Sequence, residues 1–190
     1  MKYKINSTRQ FIPIKFAILT VSDTRSKKDD KSGDTLEKII QNDGHKIVKR
    51  QIIPDERTLI AKTLLEWSFD EKIEAIITTG GTGLTGRDVS VEAHRDIYDK
   101  EIDAFSTIFA QISVGKIGTS AVQSRACAGI KNGTFLFALP GSPSACKDGW
   151  NEILSKQFDY RHMPCNFVEL LPRLLAVSYT HLTLPTNREV

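Results

Sequence analysis

The chain has 190 residues, of which 40% are hydrophobic and 26% are charged, and 26 Lys and Arg against 23 Asp and Glu give a net charge of +3. This length and composition suit a single globular domain with a substantial buried core. The positive excess is too small and too scattered for a nucleic-acid-binding surface, where Lys and Arg cluster. It leaves room for a local positive site that binds a small anion.

The cysteines and the N-terminus limit the location of the protein. Cys127, Cys146 and Cys165 are odd in number, far apart and outside any C-x-x-C arrangement, and the four histidines show no ligand spacing with them. This pattern favours free thiols in a reducing cytosol over a zinc site or disulfides. The N-terminus lacks the apolar segment of a signal peptide, and no apolar run reaches membrane-spanning length. We expect a cytoplasmic protein with no membrane or nucleic-acid partner.

The first half of the chain alternates between predicted strands and helices. Short β-rich apolar runs predict strands at residues 15–23, 45–55 and 74–80. Between the first two strands, Leu36, Ile39 and Ile40 recur at helical spacing and Gly44 ends the helix. Between the second and third strands, the segment 56–67 places Ile60, Leu64 and Trp67 on one helical face.

The second half continues the alternation. Ser90 is a candidate N-cap, and a helical stripe of Phe105, Ile108, Phe109 and Ile112 follows it. Two strands flank an Asn-Gly turn within residues 124–140, which predicts an antiparallel edge. A last helix is predicted with Ser142 as N-cap and Pro143 at its first position. The pattern as a whole predicts an α/β fold with helices on both faces of the sheet.

The segment "TTGGTGLTGRD" contains a G-x-G-x-x-G pattern formed by Gly81, Gly83 and Gly86. In a dinucleotide-binding turn the helix begins within the glycines, and an acidic residue about 20 positions later ends the next strand. Neither condition holds here, and no Lys-Ser or Lys-Thr follows the glycines as in a P-loop. The small residues with exposed N–H groups favour an anion cradle. A tight strand-to-helix turn remains an equal alternative.

Polar residues follow the predicted parallel strands. Because the carboxyl ends of parallel strands meet at one edge of a sheet, where ligands bind, these residues should converge. They are Ser22, Asp23, Asp55, Asp88, Gly141 and Ser142. Asp55 and Asp88 form a candidate carboxylate pair for Mg²⁺, which one or two carboxylates hold together with substrate phosphates. Taken singly, each aspartate is more commonly a helix cap or a loop hydrogen-bonding residue.

Several motifs in this order resemble one known family. They are "AILTVSDTR", "SGDTL", "ITTGGTGLTGRDVSVEA", "IGTSAVQSRACAG", "FALPGSPSAC" and "MPCNFVELLP". Together they are similar to the molybdenum cofactor biosynthesis protein B (MoaB) group of the molybdopterin-binding family, which includes MogA. The similarity runs from about Phe11 to about Leu174.

The resemblance implies a fold, a reaction and an assembly. The fold is a three-layer α/β sandwich with a mostly parallel sheet, expected as one domain over residues 1–175. In the reaction the terminal phosphate of molybdopterin attacks the α-phosphate of ATP with Mg²⁺ present, giving adenylylated molybdopterin and pyrophosphate. The assembly is a homotrimer or hexamer, with a possible hand-over of product to a molybdenum insertase.

The resemblance also assigns residues to this chemistry. Asp55 and Asp88 would be catalytic and would hold the metal. The substrate-binding residues would be Ser22, Asp23, Thr79, Gly80, Gly81, Thr82, Gly83, Arg87, Gly141, Ser142 and Pro143. Arg87 would neutralise developing negative charge, with a solvated loop arginine as the equal alternative. The chain departs from the family pattern at Ser90 and Val91, where Thr-Pro is usual, and we expect this change to be tolerated.

Two further functions remain open. Some members of the group lack the two aspartates, so a non-catalytic molybdopterin carrier is the alternative, and a dehydrogenase is a distant third. Residues 176–190 lack periodicity and a docking face, and we treat them as a tail of doubtful nativeness.

Overall fold

A six-stranded sheet forms the centre of the fold. The structure, a computed structural model, describes residues 4–174, so the tail predicted at 176–190 lies outside the described part. The strands are β1 (Lys4–Ile5), β2 (Lys15–Val21), β3 (Lys46–Ile53), β4 (Ala75–Thr79), β5 (Lys100–Glu101), β6 (Cys127–Lys131), β7 (Thr134–Leu139) and β8 (His162–Met163). The helices are α1 (Lys31–Asn42), α2 (Arg57–Ser68), α3 (Ser90–Arg95), α4 (Asp103–Ile117), α5 (Pro143–Asp148) and α6 (Ser155–Gln157). A 3₁₀ helix (Gly118–Gln123) follows α4, and a π-helical segment (Gly149–Leu154) joins α5 to α6.

The strand order is β3-β2-β4-β7-β6-β5. The first four strands are parallel, whereas β6 and β5 are antiparallel to their neighbours. The predicted Asn-Gly turn joins β6 to β7 with positive φ at both residues, 49° at Asn132 and 81° at Gly133. Positive φ at both central residues is the geometry of a tight two-residue hairpin. The prediction of a parallel sheet with an antiparallel edge is therefore confirmed.

Side chains of alternating strand residues enter two separate cores. On one face, Phe16 and Ile18 of β2 join Leu36 of α1, Phe105 of α4 and Trp150. On the other face, Ala17, Leu19 and Val21 of β2 pack with Ile60, Leu64 and Trp67 of α2 and with Ala93 of α3. Because β2 is buried on both faces, it consists almost entirely of apolar residues. The three-layer arrangement predicted from the sequence is present.

The helix ends agree with the sequence in two cases and differ in one. Ser142 caps α5 by accepting a hydrogen bond from the N–H of Ala145, with Pro143 at the first helical position. Gly44 follows α1 with a φ of 89°. The prediction that Ser90 is an N-cap is wrong, because Val89 holds that position. The Ser90 hydroxyl is buried and donates instead to the carbonyl oxygen of Gly80, 2.8 Å away.

The predicted apolar stripe of α4 is only partly a core face. Phe105 and Phe109 are buried, whereas Ile108 has 44% of its surface exposed. Further exposed apolar residues, Val114 and Ile117, lie on the same helix. Within residues 4–174, no helix combines the length and apolarity that a membrane crossing requires.

Candidate functional site

The parallel strands deliver four loops to one edge of the sheet, around a cavity of about 430 Å³. Loops follow β2 at Val21, β3 at Ile53, β4 at Thr79 and β7 at Leu139. The lining residues come from all four loops and from the end of the 3₁₀ helix. They are Val21, Ser22, Arg25, Asp55, Gly80, Gly81, Thr82, Gly83, Arg87, Asp88, Gln123, Ser124, Pro140, Gly141 and Ser142.

The segment between β4 and α3, residues 80–89, is called the glycine loop. It needs glycine at two positions for backbone and steric reasons. Gly80 and Gly81 have φ values of 103° and 62°, which side chains rarely adopt. A Cβ on Gly80 would lie 2.2 Å from the carbonyl oxygen of Val21. A Cβ on Gly81 would lie 2.5 Å from Oδ1 of Asp55 and 2.6 Å from Oγ of Ser90. The missing side chains therefore let this loop pass between β2 and the start of α3.

Three carboxylates and one guanidinium group lie at the mouth of the cavity. Arg87 forms a bidentate ion pair with Asp23, with distances of 2.9 Å from Nε to Oδ2 and 2.6 Å from Nη2 to Oδ1. The N–H of Asp55 donates to Oδ1 of Asp23 over 3.1 Å. The hydrogen bonds from Arg87, and then that from Asp55, lower the pKa of Asp23. The Asp23 carboxylate therefore links the β2 and β3 loops to the glycine loop.

The pKa of Asp55 is shifted in the opposite direction. Burial raises it first, and repulsion from Asp23 and Asp88 raises it further. Asp88 differs because Oδ2 accepts hydrogen bonds from the backbone N–H and the hydroxyl of Thr85, at 2.9 Å and 2.5 Å. These bonds lower the pKa of Asp88. The two aspartates thus differ. Hydrogen bonds within its own loop stabilise the anionic form of Asp88. Burial and the neighbouring carboxylates disfavour the anionic form of Asp55.

Arg25 connects the two ends of the cavity wall. Its Nη2 donates to the carbonyl oxygen of Gly141 over 2.8 Å, and its Nη1 donates to Oγ of Ser32 over 2.9 Å. These contacts join the loop after β2 to the loop after β7 and to the first turn of α1. Arg25 and Arg87 together give the cavity two positive charges beside its two carboxylates.

The structure brings ten of the thirteen predicted site residues together around this cavity. They are Ser22, Asp55, Gly80, Gly81, Thr82, Gly83, Arg87, Asp88, Gly141 and Ser142. Asp23 instead lines an adjoining cavity of about 450 Å³. Thr79 is fully buried, and its hydroxyl lies 3.2 Å from both the carbonyl oxygen of Pro140 and Sγ of Cys146, so its side chain does not face the cavity. Pro143 begins α5 and does not line the cavity.

Five of the residues that line the cavity were not predicted from the sequence, namely Val21, Arg25, Gln123, Ser124 and Pro140. Arg25 lies in the loop after β2 that was expected at this edge, so its position in the chain was a usable signal. Gln123 and Ser124 precede β6, which is antiparallel. The start of an antiparallel strand lies at the same edge as the ends of the parallel strands, and only the strand directions reveal this.

The fold and the cavity define an α/β protein with a glycine-rich cavity, lined by carboxylates and guanidinium groups, at the carboxyl edge of its sheet. Comparison with known proteins narrows this class. The family described as "Probable molybdopterin binding domain" matches residues 17–160. The chain therefore belongs to this molybdopterin-binding family, with the MoaB and MogA proteins.

Individual relatives extend the similarity over most of the chain. The molybdenum cofactor biosynthesis protein B of Escherichia coli K12 is 42% identical over 158 residues, which cover 83% of this chain and 93% of the relative. A crystal structure of a molybdenum cofactor biosynthesis protein B has a TM-score of 0.75 at 31% identity, covering 90% of this chain and 99% of its own. The structure of the tungsten cofactor synthesizing protein MoaB from Pyrococcus furiosus has a TM-score of 0.71 at 31% identity, covering 86% and 98%.

Proposed function

We propose that this protein acts in molybdenum cofactor biosynthesis and adenylylates molybdopterin with ATP. The observation that carries the proposal is that Asp55 and Asp88 line the same cavity and that each lies against a glycine of the loop after β4. A Cβ on Gly81 would meet the carboxylate of Asp55, and a Cβ on Gly83 would lie 2.7 Å from Oδ2 of Asp88. Paired carboxylates beside a glycine loop suit a transfer between two phosphorylated substrates, because such reactions depend on positioning and charge neutralisation.

The proposed reaction requires no proton transfer by a protein side chain. A new P–O bond forms between the terminal phosphate oxygen of molybdopterin and the α-phosphorus of ATP. The α–β phosphoanhydride bond breaks, and its electron pair leaves with pyrophosphate. Because the attacking oxygen is already anionic, no general base is needed. Accordingly, the described residues that line the cavity include carboxylate, guanidinium, hydroxyl and amide groups but no imidazole or thiol.

The chain supplies groups of both signs for such substrates. We assign the glycine loop to phosphate binding, since its backbone N–H groups are donors that need no side chain. Arg25 and Arg87 would offset the negative charge of the phosphate groups. This electrostatic interaction is stronger where the cavity excludes water. Gly141 and Ser142 would close the opposite wall.

The donor set fits Mg²⁺ bound together with a nucleotide. Mg²⁺ keeps several waters and takes one or two carboxylates plus substrate phosphates, and when bound it would supply positive charge that offsets the phosphate charge. Burial raises the pKa of Asp55 first and repulsion from Asp23 and Asp88 raises it further, and a cation near Asp55 would relieve that repulsion. Within residues 4–174 no cluster of three or more His, Cys, Asp or Glu side chains could hold a metal. Asp55 and Asp88 would therefore share the ion with the nucleotide.

A molybdopterin carrier without catalysis is the second candidate function, and one contact favours it. Asp88 accepts two hydrogen bonds from Thr85 in its own loop. A carboxylate that only shapes the loop would make these bonds without binding any metal. The carrier needs the glycine loop but not the negative charge of either aspartate.

We further propose that the protein self-associates, as a trimer or hexamer, through α4. Residues 104–115 contain no charged side chain, although α4 lies at the surface. Val114 and Ile117 expose 56% and 53% of their surface, and Val122 of the following 3₁₀ helix exposes 80%. Several exposed large apolar side chains on one helix and the segment that follows it favour an association site. We also propose that the product, adenylylated molybdopterin, is handed over to a molybdenum insertase.

The deciding experiment incubates molybdopterin, ATP and Mg²⁺ with the protein and follows both pyrophosphate and adenylylated pterin. Asp55→Asn and Asp88→Asn keep the side-chain size and remove the charge. We expect each to lower turnover by at least about 100-fold, because charge neutralisation dominates such transfers. Pterin affinity, measured separately by fluorescence, should stay unchanged.

Asp96→Asn is the matched control. Asp96 is 41% exposed, pairs with Arg57 and does not line the cavity. It should leave turnover unchanged. Tight pterin binding without turnover in the unsubstituted protein would replace the enzyme with the carrier. Full turnover by Asp88→Asn would remove Asp88 from the catalytic residues.

A further inference from the structure

Arg125 contacts the glycine loop from outside the cavity. It lies just before β6 and is not among the residues that line the cavity. Its Nε donates to the carbonyl oxygens of Thr82 and Gly83, each 3.0 Å away. Its Nη2 donates to the carbonyl oxygen of Asp88 over 3.1 Å. One guanidinium group therefore holds three backbone carbonyls, two before and one after the segment 84–87.

An ion pair with Glu92 of α3 fixes the guanidinium plane. The Nη1 of Arg125 donates to Oε1 of Glu92, and its Nη2 lies 3.3 Å from Oε2. The Arg125 side chain is 27% exposed, so both partners lose part of their hydration. Hydrogen bonds from Arg125 lower the pKa of Glu92. The contacts of Arg125 thus use all three of its nitrogen atoms.

Because peptide units are planar, the carbonyl contacts of Arg125 also fix the directions of N–H groups in the loop. In a trans peptide the C=O and N–H bonds point in opposite directions. The carbonyl of Thr82 points toward Arg125, so the N–H of Gly83 in the same peptide unit points away from it. The same relation sets the N–H of Leu84 through Gly83 and the N–H of Val89 through Asp88. Consistent with this, Gly83 lies against the Asp88 carboxylate, because a Cβ on Gly83 would lie 2.7 Å from Oδ2 of Asp88.

We propose that Arg125 is a positioning residue that fixes the peptide orientation of the glycine loop, so that its N–H donors face phosphate and the Asp88 carboxylate. The proposal deepens the function proposed above and rests on anion binding at that loop. A lysine cannot replace this arginine, because a single ammonium group lacks the planar fork that reaches three carbonyls and a carboxylate at once.

The test uses inorganic pyrophosphate as the probe and the full chain labelled with ¹⁵N. Amide resonances of Gly83, Leu84 and Val89 are followed, and the pyrophosphate Kd is measured by titration. We expect Arg125→Lys and Arg125→Met to move these three amide resonances and to weaken pyrophosphate binding at least about tenfold. Glu92→Gln keeps a side-chain oxygen that can still accept from Arg125, and it keeps the three carbonyl contacts, so its Kd should stay within about threefold.

Arg57→Met is the matched control. Arg57 also pairs with α3, through Asp96, but it contacts no part of the glycine loop and is 52% exposed. Its spectrum at the loop and its Kd should match those of the parent. Unchanged loop resonances or unchanged pyrophosphate affinity in folded Arg125→Lys would overturn the proposal. An equally large loss of affinity in Glu92→Gln would also overturn it. So would the absence of pyrophosphate binding by the parent protein. These readouts need no turnover, so they stand even if the adenylyl transfer is absent.

Discussion

Arg87 and Asp23 form a bidentate ion pair that joins the glycine loop to the loop after β2 across the mouth of the cavity. Arg87 is 64% exposed and Asp23 is 36% exposed, so the pair lies in solvent. An exposed pair contributes little to stability. Its effect is electrostatic, because Asp23 offsets the positive charge that Arg87 brings to the cavity.

The first prediction separates these two residues by the sign of their effects. Arg87→Ala removes a positive charge from the cavity, and we expect ATP affinity to fall about tenfold, the loss of one charge-assisted contact. Asp23→Asn releases Arg87 from its partner, so ATP affinity should stay equal or rise. Isothermal titration of both variants gives the answer. Equal losses in the two variants would mean that the pair only holds the loops together.

The second prediction concerns the turn after β4. Gly80→Ala places a Cβ 2.2 Å from the carbonyl oxygen of Val21 at a φ of 103°. We expect it to lower the free energy of unfolding by at least about 2 kcal/mol, since both strain and a backbone clash must be accommodated. Gly86→Ala in the same loop is the control, because nothing lies within 4 Å of its added Cβ. Its effect should stay within about 0.5 kcal/mol. Urea unfolding followed by circular dichroism distinguishes the two.

The third prediction concerns stability at acid pH. Burial lowers the pKa of His45 from 6.5 to about 4. The folded state therefore favours neutral His45, and this contribution is complete above pH 6.5 and is lost as the pH falls toward 4. Because one pKa unit corresponds to about 1.4 kcal/mol, the free energy of unfolding should fall by up to about 3 kcal/mol across that window. His94, whose pKa burial lowers to about 3, adds a loss of the same sign.

A single substitution, compared with the parent protein, isolates the contribution of His45 to the pH dependence. Its Nδ1 accepts a hydrogen bond from the N–H of Ile14 over 3.1 Å, and the side-chain oxygen of a glutamine can accept the same bond. His45→Gln should therefore flatten the decline in unfolding free energy between pH 6.5 and 4 relative to the parent. An unchanged slope would show that His45 takes up its proton equally in the folded and unfolded states.

The fourth prediction concerns the exposed face of α4. Val114→Lys places a charge in its uncharged stretch, and we expect the assembly to dissociate to monomers, as measured by light scattering after gel filtration, because a buried unpaired charge is costly at an interface. Phe69→Lys is the control. Phe69 is 69% exposed at the C-terminal end of α2, outside α4. It should leave the molar mass unchanged, and a monomeric parent would refute the association surface.

The sequence by itself determined the layers and the main elements. The apolar runs of β2 and β4 required burial on both faces, and the helical spacing of Ile60, Leu64 and Trp67 required a packed helix. The Asn-Gly pair indicated the hairpin, because both residues tolerate the positive φ that a two-residue turn requires. Residues at the ends of parallel strands could likewise be assigned to one edge, which placed ten of the thirteen predicted residues around the cavity.

Tertiary structure alone decided which atoms face the cavity and which hold it in place. Thr79 was predicted to bind substrate, but the last residue of a central strand is covered by its neighbours, and its hydroxyl bonds within the core. Ser90 was predicted to cap α3, but the glycine turn brings its hydroxyl to Gly80. Arg125 lies 42 residues from Gly83 in sequence, and their contact depends on the antiparallel direction of β6. Local spacing carries the periodicity of strands and helices, whereas such long-range contacts arise only when the strands assume their order and direction in the sheet.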